Sequence, residues 1–223
     1  MAAREPVFNF SEKEPVQFAA LLIACFVVLR YTPLAVSPEV GNVVVLRPAA
    51  LTDGLGWLSA GAHAFFHNGW THLLMNCAMM VVFAILVMRG ARAMGVRRGR
   101  QGRPVLVFVA IFLLSVFGGA FAQWAWWAVA DVLNGPALLE ESAVGASGGI
   151  SGLFAAGAYA MGGRETVLKF GLGWALINAM MVFAESLLGF GIAWAAHLGG
   201  YLAGAIFAPL WVAANSTVFD PRR

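Results

Sequence analysis

Four polar residues within apolar stretches of the chain have the types and spacing for acyl-transfer chemistry. Ser147 stands in Gly145-Ala-Ser-Gly-Gly-Ile-Ser-Gly152, where an apolar segment begins. His72 and Asn76 lie four residues apart in a second segment, and His197 lies in a third, Ala195-Ala-His-Leu-Gly-Gly200. A serine hydroxyl attacks an amide only if a base takes its proton, and imidazole is the usual base. The developing oxyanion needs donors placed beforehand. His72 and Asn76, at i and i+4, share a helix face and can both donate. The Ser147 N–H is a third donor, with the positive end of a helix behind it. The base must come from His197 or His72.

The elements that would hold these residues are membrane spans. Of 223 residues, 61% are hydrophobic and 11% charged, against about 25% charged in a soluble domain. At roughly 20 residues per crossing, the length allows about six spans plus loops. The apolar runs predict them at Val16 to Val36, His72 to Met88, Val105 to Ala130, Ser147 to Gly162, Phe170 to Leu188 and Ile192 to Ala214. The membrane domain is residues 16–214, flanked by a short N-terminal segment, 1–15, and a tail, 215–223. Met1 to Glu14 lack the apolar core of a signal peptide, so the first span is expected to insert uncleaved. Between the first two spans, Ser37 to Thr71 is too broken to cross and is expected on or partly in the membrane surface. Trp124, Trp126 and Trp127 suit an interfacial aromatic belt. Cys25 and Cys77 lie in apolar segments and read as small buried hydrophobes rather than disulfide partners.

Basic residues set the orientation. With both termini in the cytoplasm, 12 of the 14 Lys and Arg residues fall inside, six of them between Arg89 and Arg103. The positive-inside rule prefers this arrangement. The arginine run is a topology signal rather than a nucleic-acid patch, and a bacterial inner membrane is the expected location.

Residue counts give depths. Ser147 precedes Arg164 by 17 residues, His72 precedes Arg89 by 17, and His197 precedes Asn215 by 18. At 1.5 Å per residue all three lie about 25–27 Å above the inner boundary. The fourth span reaches only about 24 Å, short of a roughly 30 Å hydrocarbon core. Its outer end, with Ser147, is therefore expected to be recessed in a cavity opening outward. Small residues at Gly145, Gly148, Gly149 and Gly152 in one span, and at Gly200 and Gly204 in the other, let two helices approach closely. Two such helices can come close enough for a Ser–His hydrogen bond. Glu185 is the only acidic residue within a span, and a Ser–His dyad is preferred to a triad containing it.

Other polar residues have simpler readings. Ser151 is a packing residue, His63 and His67 are structural or solvated loop residues, and Asn178 bonds a neighbouring helix. A zinc site is disfavoured: there is no His-Glu-x-x-His, and the histidines have no acids or thiols beside them.

Three motifs together resemble the rhomboid family of intramembrane serine proteases. They are His67-Asn-Gly-Trp-Thr-His72-Leu-Leu-Met-Asn76, Gly145-Ala-Ser147-Gly148 and Ala196-His197-Leu-Gly-Gly200. The resemblance implies an all-α, six-transmembrane-helix bundle with a short, recessed fourth helix and a membrane-associated loop after the first. By it Ser147 is the nucleophile and His197 the general base, while His72, Asn76 and the Ser147 amide form the oxyanion site. It also implies that the fifth span and the loop from Gly189 to Gly191 act as a substrate gate. The chain departs from the family pattern twice. Ser151 stands where many members have an aromatic ring stacked on the base, and Trp57-Leu58 replaces a Trp-Arg pair in the long loop. The expected function is a serine endopeptidase that cleaves transmembrane-anchored proteins in the lipid bilayer. It uses no metal or cofactor and has no nucleic-acid partner. The alternative is an inactive relative that binds transmembrane helices as an adaptor or chaperone, which has no need of both Ser147 and His197. A small-solute carrier would carry an internal repeat with paired broken helices, and none is evident.

Overall fold

The computed structural model describes residues 12–51, 54–134, 141–188 and 191–214. Among the described residues seven α-helices are named in chain order. They are α1 (Lys13–Tyr31), α2 (Pro38–Val44), α3 (Ser59–Ala62), α4 (Trp70–Arg97), α5 (Pro104–Asn134), α6 (Ser147–Leu188) and α7 (Trp194–Trp211). Among the described residues there is no strand, only an isolated antiparallel bridge between Leu46 and Ala143. The helices α1, α4, α5 and α6 are long and apolar enough to cross a membrane. Their outer faces carry exposed Leu21, Leu106, Phe121, Leu172 and Phe183. A helix apolar on every side belongs in a core or a bilayer.

Helix ends follow local chemistry. The first helix stops at Tyr31, short of the predicted Val36, because Thr32 precedes Pro33 and is extended (φ −115°, ψ 170°). A residue before proline is pushed out of the helical region. Residues Pro33–Val36 form a 3₁₀ turn instead, with the Thr32 side chain accepting from the Leu34 N–H. In contrast, α4 runs nine residues past the predicted Met88. Arginine is a good helix former, so Arg89, Arg92 and Arg97 extend α4 instead of lying in the predicted loop.

The longest element is bent double. In α6, Gly162 (φ −156°, ψ 19°) and Gly163 (φ 70°, ψ −155°) leave helical geometry, and the positive φ of Gly163 suits a residue without a β-carbon. The second arm folds back along the first, so that Phe154 stacks on Phe170 at 5.6 Å and meets Trp174 edge-on at 5.7 Å. The predicted spans Ser147 to Gly162 and Phe170 to Leu188 fall on these two arms.

Packing centres on α7, which lies against both α5 and α6. A β-carbon on Gly119 of α5 would come 2.7 Å from the Ala196 carbonyl oxygen of α7. Backbones this close gain dispersion and backbone contact, which hold helices together where lipid removes the hydrophobic drive. A second cluster joins α1, α4, α5 and α6 through Leu22, Phe26, Leu73, Met80, Phe112 and Leu153. Phe18 of α1 adds edge contacts to Phe108 (5.4 Å) and Phe112 (5.1 Å).

The two ends of the bundle differ. At one end Arg92 pairs with Glu12, and the Arg97 and Arg98 guanidiniums donate to the Ala214 and Leu210 carbonyls at 3.0 and 3.1 Å. The entry to α1, the arginine-rich end of α4 and the exit of α7 therefore lie together. At the other end the segment between α1 and α4 meets the segment before α6, through the Leu46–Ala143 bridge and a Gly145 N–H bond to the His63 carbonyl at 2.9 Å. Trp124 and Trp127 are buried at this end, and Trp124 donates to the Arg47 carbonyl at 2.8 Å. These two tryptophans are thus interior residues, not the lipid-facing belt expected from the sequence. Trp126 is exposed and packs on Trp194 at 4.8 Å.

Candidate active site

Ser147 is the first residue of α6, so its N–H has no intrahelical acceptor. The backbone reaches it through Gly145, whose φ of 113° is open only to glycine, and a β-carbon there would sit 2.7 Å from the His72 ring. Two loop histidines brace this approach. The His63 carbonyl accepts from Gly145 N–H at 2.9 Å, and His67 Nε2 accepts from Ala146 N–H at 3.4 Å. Burial, and then the neighbouring His72, holds the His67 pKa down to about 4. The ring is therefore neutral at neutral pH and its Nε2 can accept. His63 is in turn held by a 2.7 Å bond from its Nδ1 to the Ser59 carbonyl. Both histidines are structural, in keeping with the sequence reading.

Ser147 Oγ and His197 Nε2 are 2.9 Å apart. The approach depends on the small residues of α6 and α7. Gly200 lies against the Gly148 carbonyl and Gly204 against that of Gly152, with no room for a β-carbon at either place. Gly148 and Gly200 thus share one close contact, and Gly145 makes another against the His72 ring.

His72 completes the group. Ser147, His72 and His197 line two cavities that meet at them. One, of about 230 Å³, opens among Phe66, Asn68, Ser142 and Ile192. The other, of about 270 Å³, runs between the helices past Met75, Asn76, Phe83, Phe154 and Met181. Asn76 is buried and donates one amide N–H to the His72 carbonyl at 2.8 Å, while its Oδ1 has no partner. Asn76 lines the second cavity, and an amide carries a second N–H besides the one so held. A serine, an imidazole within proton-transfer distance and nearby N–H donors are the parts that acyl transfer requires.

Residues 55–214 match the family of the Rhomboid domain. The chain belongs to the rhomboid family. The match covers well over half of this multi-pass membrane protein, and rhomboids are in general intramembrane serine proteases, although inactive members exist. Comparison with curated proteins gives no match. In this rhomboid the position one turn after Ser147 is filled by Ser151, whose hydroxyl turns back to donate to the Ser147 carbonyl at 2.7 Å. Ser151 is thus spent within its own helix, as the packing reading held.

The aromatic neighbour of His197 comes from elsewhere. The Trp174 ring, on the second arm of α6, lies 5.9 Å from the His197 ring at an interplanar angle of 42°. One turn further on, Asn178 Oδ1 lies 2.7 Å from His197 Nδ1. The sequence marked Asn178 as bonding a neighbouring helix but did not connect it with His197. The available signal was its place as a polar residue within an apolar span. The Glu185 side chain and the gate residues Gly189 and Phe190 lie outside the described residues, as do 1–11 and the tail 215–223.

Proposed function

We propose that this rhomboid is an intramembrane serine endopeptidase that cleaves transmembrane-anchored proteins. The observation that carries the reading is the 2.9 Å approach of Ser147 Oγ to His197 Nε2 beside two cavities. The helices would cross the bilayer six times, with the arms of α6 as the fourth and fifth crossings. The first arm, residues 147–161, spans about 22 Å, so its Ser147 end would be recessed below the outer surface. Both termini would be cytoplasmic in a bacterial cell. The Arg92–Glu12 pair and the Arg97–Ala214 bond support this, since they gather the entry to α1 and the exit of α7 at the arginine-rich face.

In the proposed reaction His197 takes the Ser147 proton as Oγ attacks the scissile carbonyl. The resulting oxyanion accepts from the Ser147 N–H, His72 and Asn76. His197 then gives its proton to the leaving amine, and water releases the acyl group by the reverse sequence. The cavity among Ser142 and Asn68 offers a route for that water.

The test is incubation of the purified protein in detergent with a fluorophosphonate probe and a single-span model substrate. Wild type should label at Ser147 and cleave, and Ser147→Ala should do neither. Equal cleavage by Ser147→Ala, or a wild type that neither labels nor cleaves, overturns the proposal.

A further inference from the structure

Resting on the endopeptidase reading, we infer that Asn178 is the third member of the catalytic group, a positioning residue that fixes the tautomer and the ring plane of His197. In a straight helix the 31 residues from Ser147 to Asn178 would separate them by about 46 Å. Because α6 folds back at Gly162–Gly163, they instead reach the two nitrogens of one imidazole, Oγ at 2.9 Å from Nε2 and Oδ1 at 2.7 Å from Nδ1.

Which amide atom faces the ring is decided by a third bond. Asn178 Nδ2 donates to the Trp174 carbonyl oxygen at 2.8 Å. A carbonyl oxygen only accepts, so the amide NH₂ must face it, and turning the amide over would set two oxygens against each other. The atom aimed at His197 is therefore Oδ1, which only accepts. It follows that Nδ1 carries the ring hydrogen and donates it, leaving the Nε2 lone pair to accept from the Ser147 hydroxyl. That is the tautomer a general base requires, and the Trp174 backbone sets it at one remove.

Asn178 is 2% exposed. An amide oxygen supplies an acceptor at such a site without the large cost of burying a carboxylate among apolar helices. When His197 gains a proton, its Nδ1–H bond to Oδ1 becomes charge-assisted and strengthens, so the interaction favours the transition state over the resting enzyme. Asparagine fills the same role beside a catalytic histidine in papain-like proteases. In this chain the group that orients the base comes from the second arm of α6, not from the turn after the nucleophile.

The experiment pairs kinetics with the state of the ring. With ¹⁵N-labelled histidine, the wild type in micelles should show His197 protonated at Nδ1. Asn178→Leu, of the same branched shape and unable to bond, should lose that preference and lower kcat on the single-span substrate by about 10- to 100-fold, with KM little changed. Asn178→Asp keeps an acceptor toward Nδ1, and should retain more activity than Asn178→Leu and shift the pH profile of kcat. An Nε2-protonated His197 in the active wild type overturns the inference even if both variants fail to fold. So does a folded Asn178→Leu with kcat within twofold of wild type. If the wild type itself is inert to probe and substrate, the endopeptidase reading fails instead, and the ring spectrum still reports whether Asn178 holds the tautomer.

Discussion

Gly200 of α7 is seated on the carbonyl of Gly148 in α6, one turn of α7 beyond His197 and one residue beyond Ser147. The contact is backbone to backbone, so no rotamer change can relieve an added methyl. Gly200→Ala should push α7 away from α6 and lengthen the Ser147–His197 distance. Overpacking of this kind costs about 1–3 kcal/mol, so thermal unfolding in detergent should move down while cleavage drops further than stability alone explains. Wild-type unfolding and turnover in this variant would show that the two helices do not depend on the contact.

Gly145→Ala tests the entry to α6. The residue has φ 113° and its absent β-carbon would meet the His72 ring at 2.7 Å. Backbone strain of about 1–3 kcal/mol adds to that clash. The variant should lose fluorophosphonate labelling of Ser147 even at temperatures where it remains folded by circular dichroism. Gly173→Ala is the control, since a β-carbon there meets nothing within 4 Å, and it should label normally.

Asn76 lines the cavity between the helices, and besides the N–H held by the His72 carbonyl at 2.8 Å its amide carries a second N–H. On the proposed mechanism that N–H binds the oxyanion, and loss of one such donor lowers kcat by about 10²- to 10³-fold. Asn76→Ala should therefore show a low kcat with KM close to wild type. A rise in KM at unchanged kcat would place Asn76 in substrate binding instead.

His67 predicts how stability depends on pH. Its folded pKa is about 4, below the usual 6.5 because burial, and then His72, disfavour the charged ring. Above pH 6.5 folded and unfolded chains are both neutral here and the full stability is present. As pH falls from 6.5 toward 4 the unfolded chain takes up a proton that the folded chain refuses, so stability declines across that window. His67→Gln cannot titrate, yet its amide oxygen can still accept from the Ala146 N–H. Unfolding temperatures at pH 7, 5.5 and 4.5 should fall less steeply for the variant, and parallel curves would rule out this origin. His63, also lowered by burial, leaves a residual slope of the same sign.

Much of the candidate site was readable in the chain because membrane helices obey counting rules. Seventeen residues from Ser147 to Arg164 and seventeen from His72 to Arg89 set expected depths without any knowledge of packing. The rise per residue is fixed and charged residues stop near the interface. The glycines of Gly148–Gly152 and Gly200–Gly204 likewise marked a close helix pair. Helix ends were less legible, since Arg92 and Arg97 signal a boundary by charge while favouring helix by propensity. Trp124 was misread for a related reason. Composition places tryptophan at the interface on average, but its indole N–H found the Arg47 carbonyl inside the protein.

The sequence by itself determined an all-helical membrane chain and the likeness to rhomboids, and it set one expected depth for the polar residues. The helical and membrane character follows from composition and residue spacing, which act locally, and the likeness from three short motifs. Only the tertiary structure decided that α6 doubles back at Gly162–Gly163 and carries Trp174 and Asn178 to the far side of His197. No local rule links Ser147 to a residue 31 positions later. That link depends on the azimuth of each helix, which is set by how glycine, alanine and aromatic surfaces fit together in three dimensions.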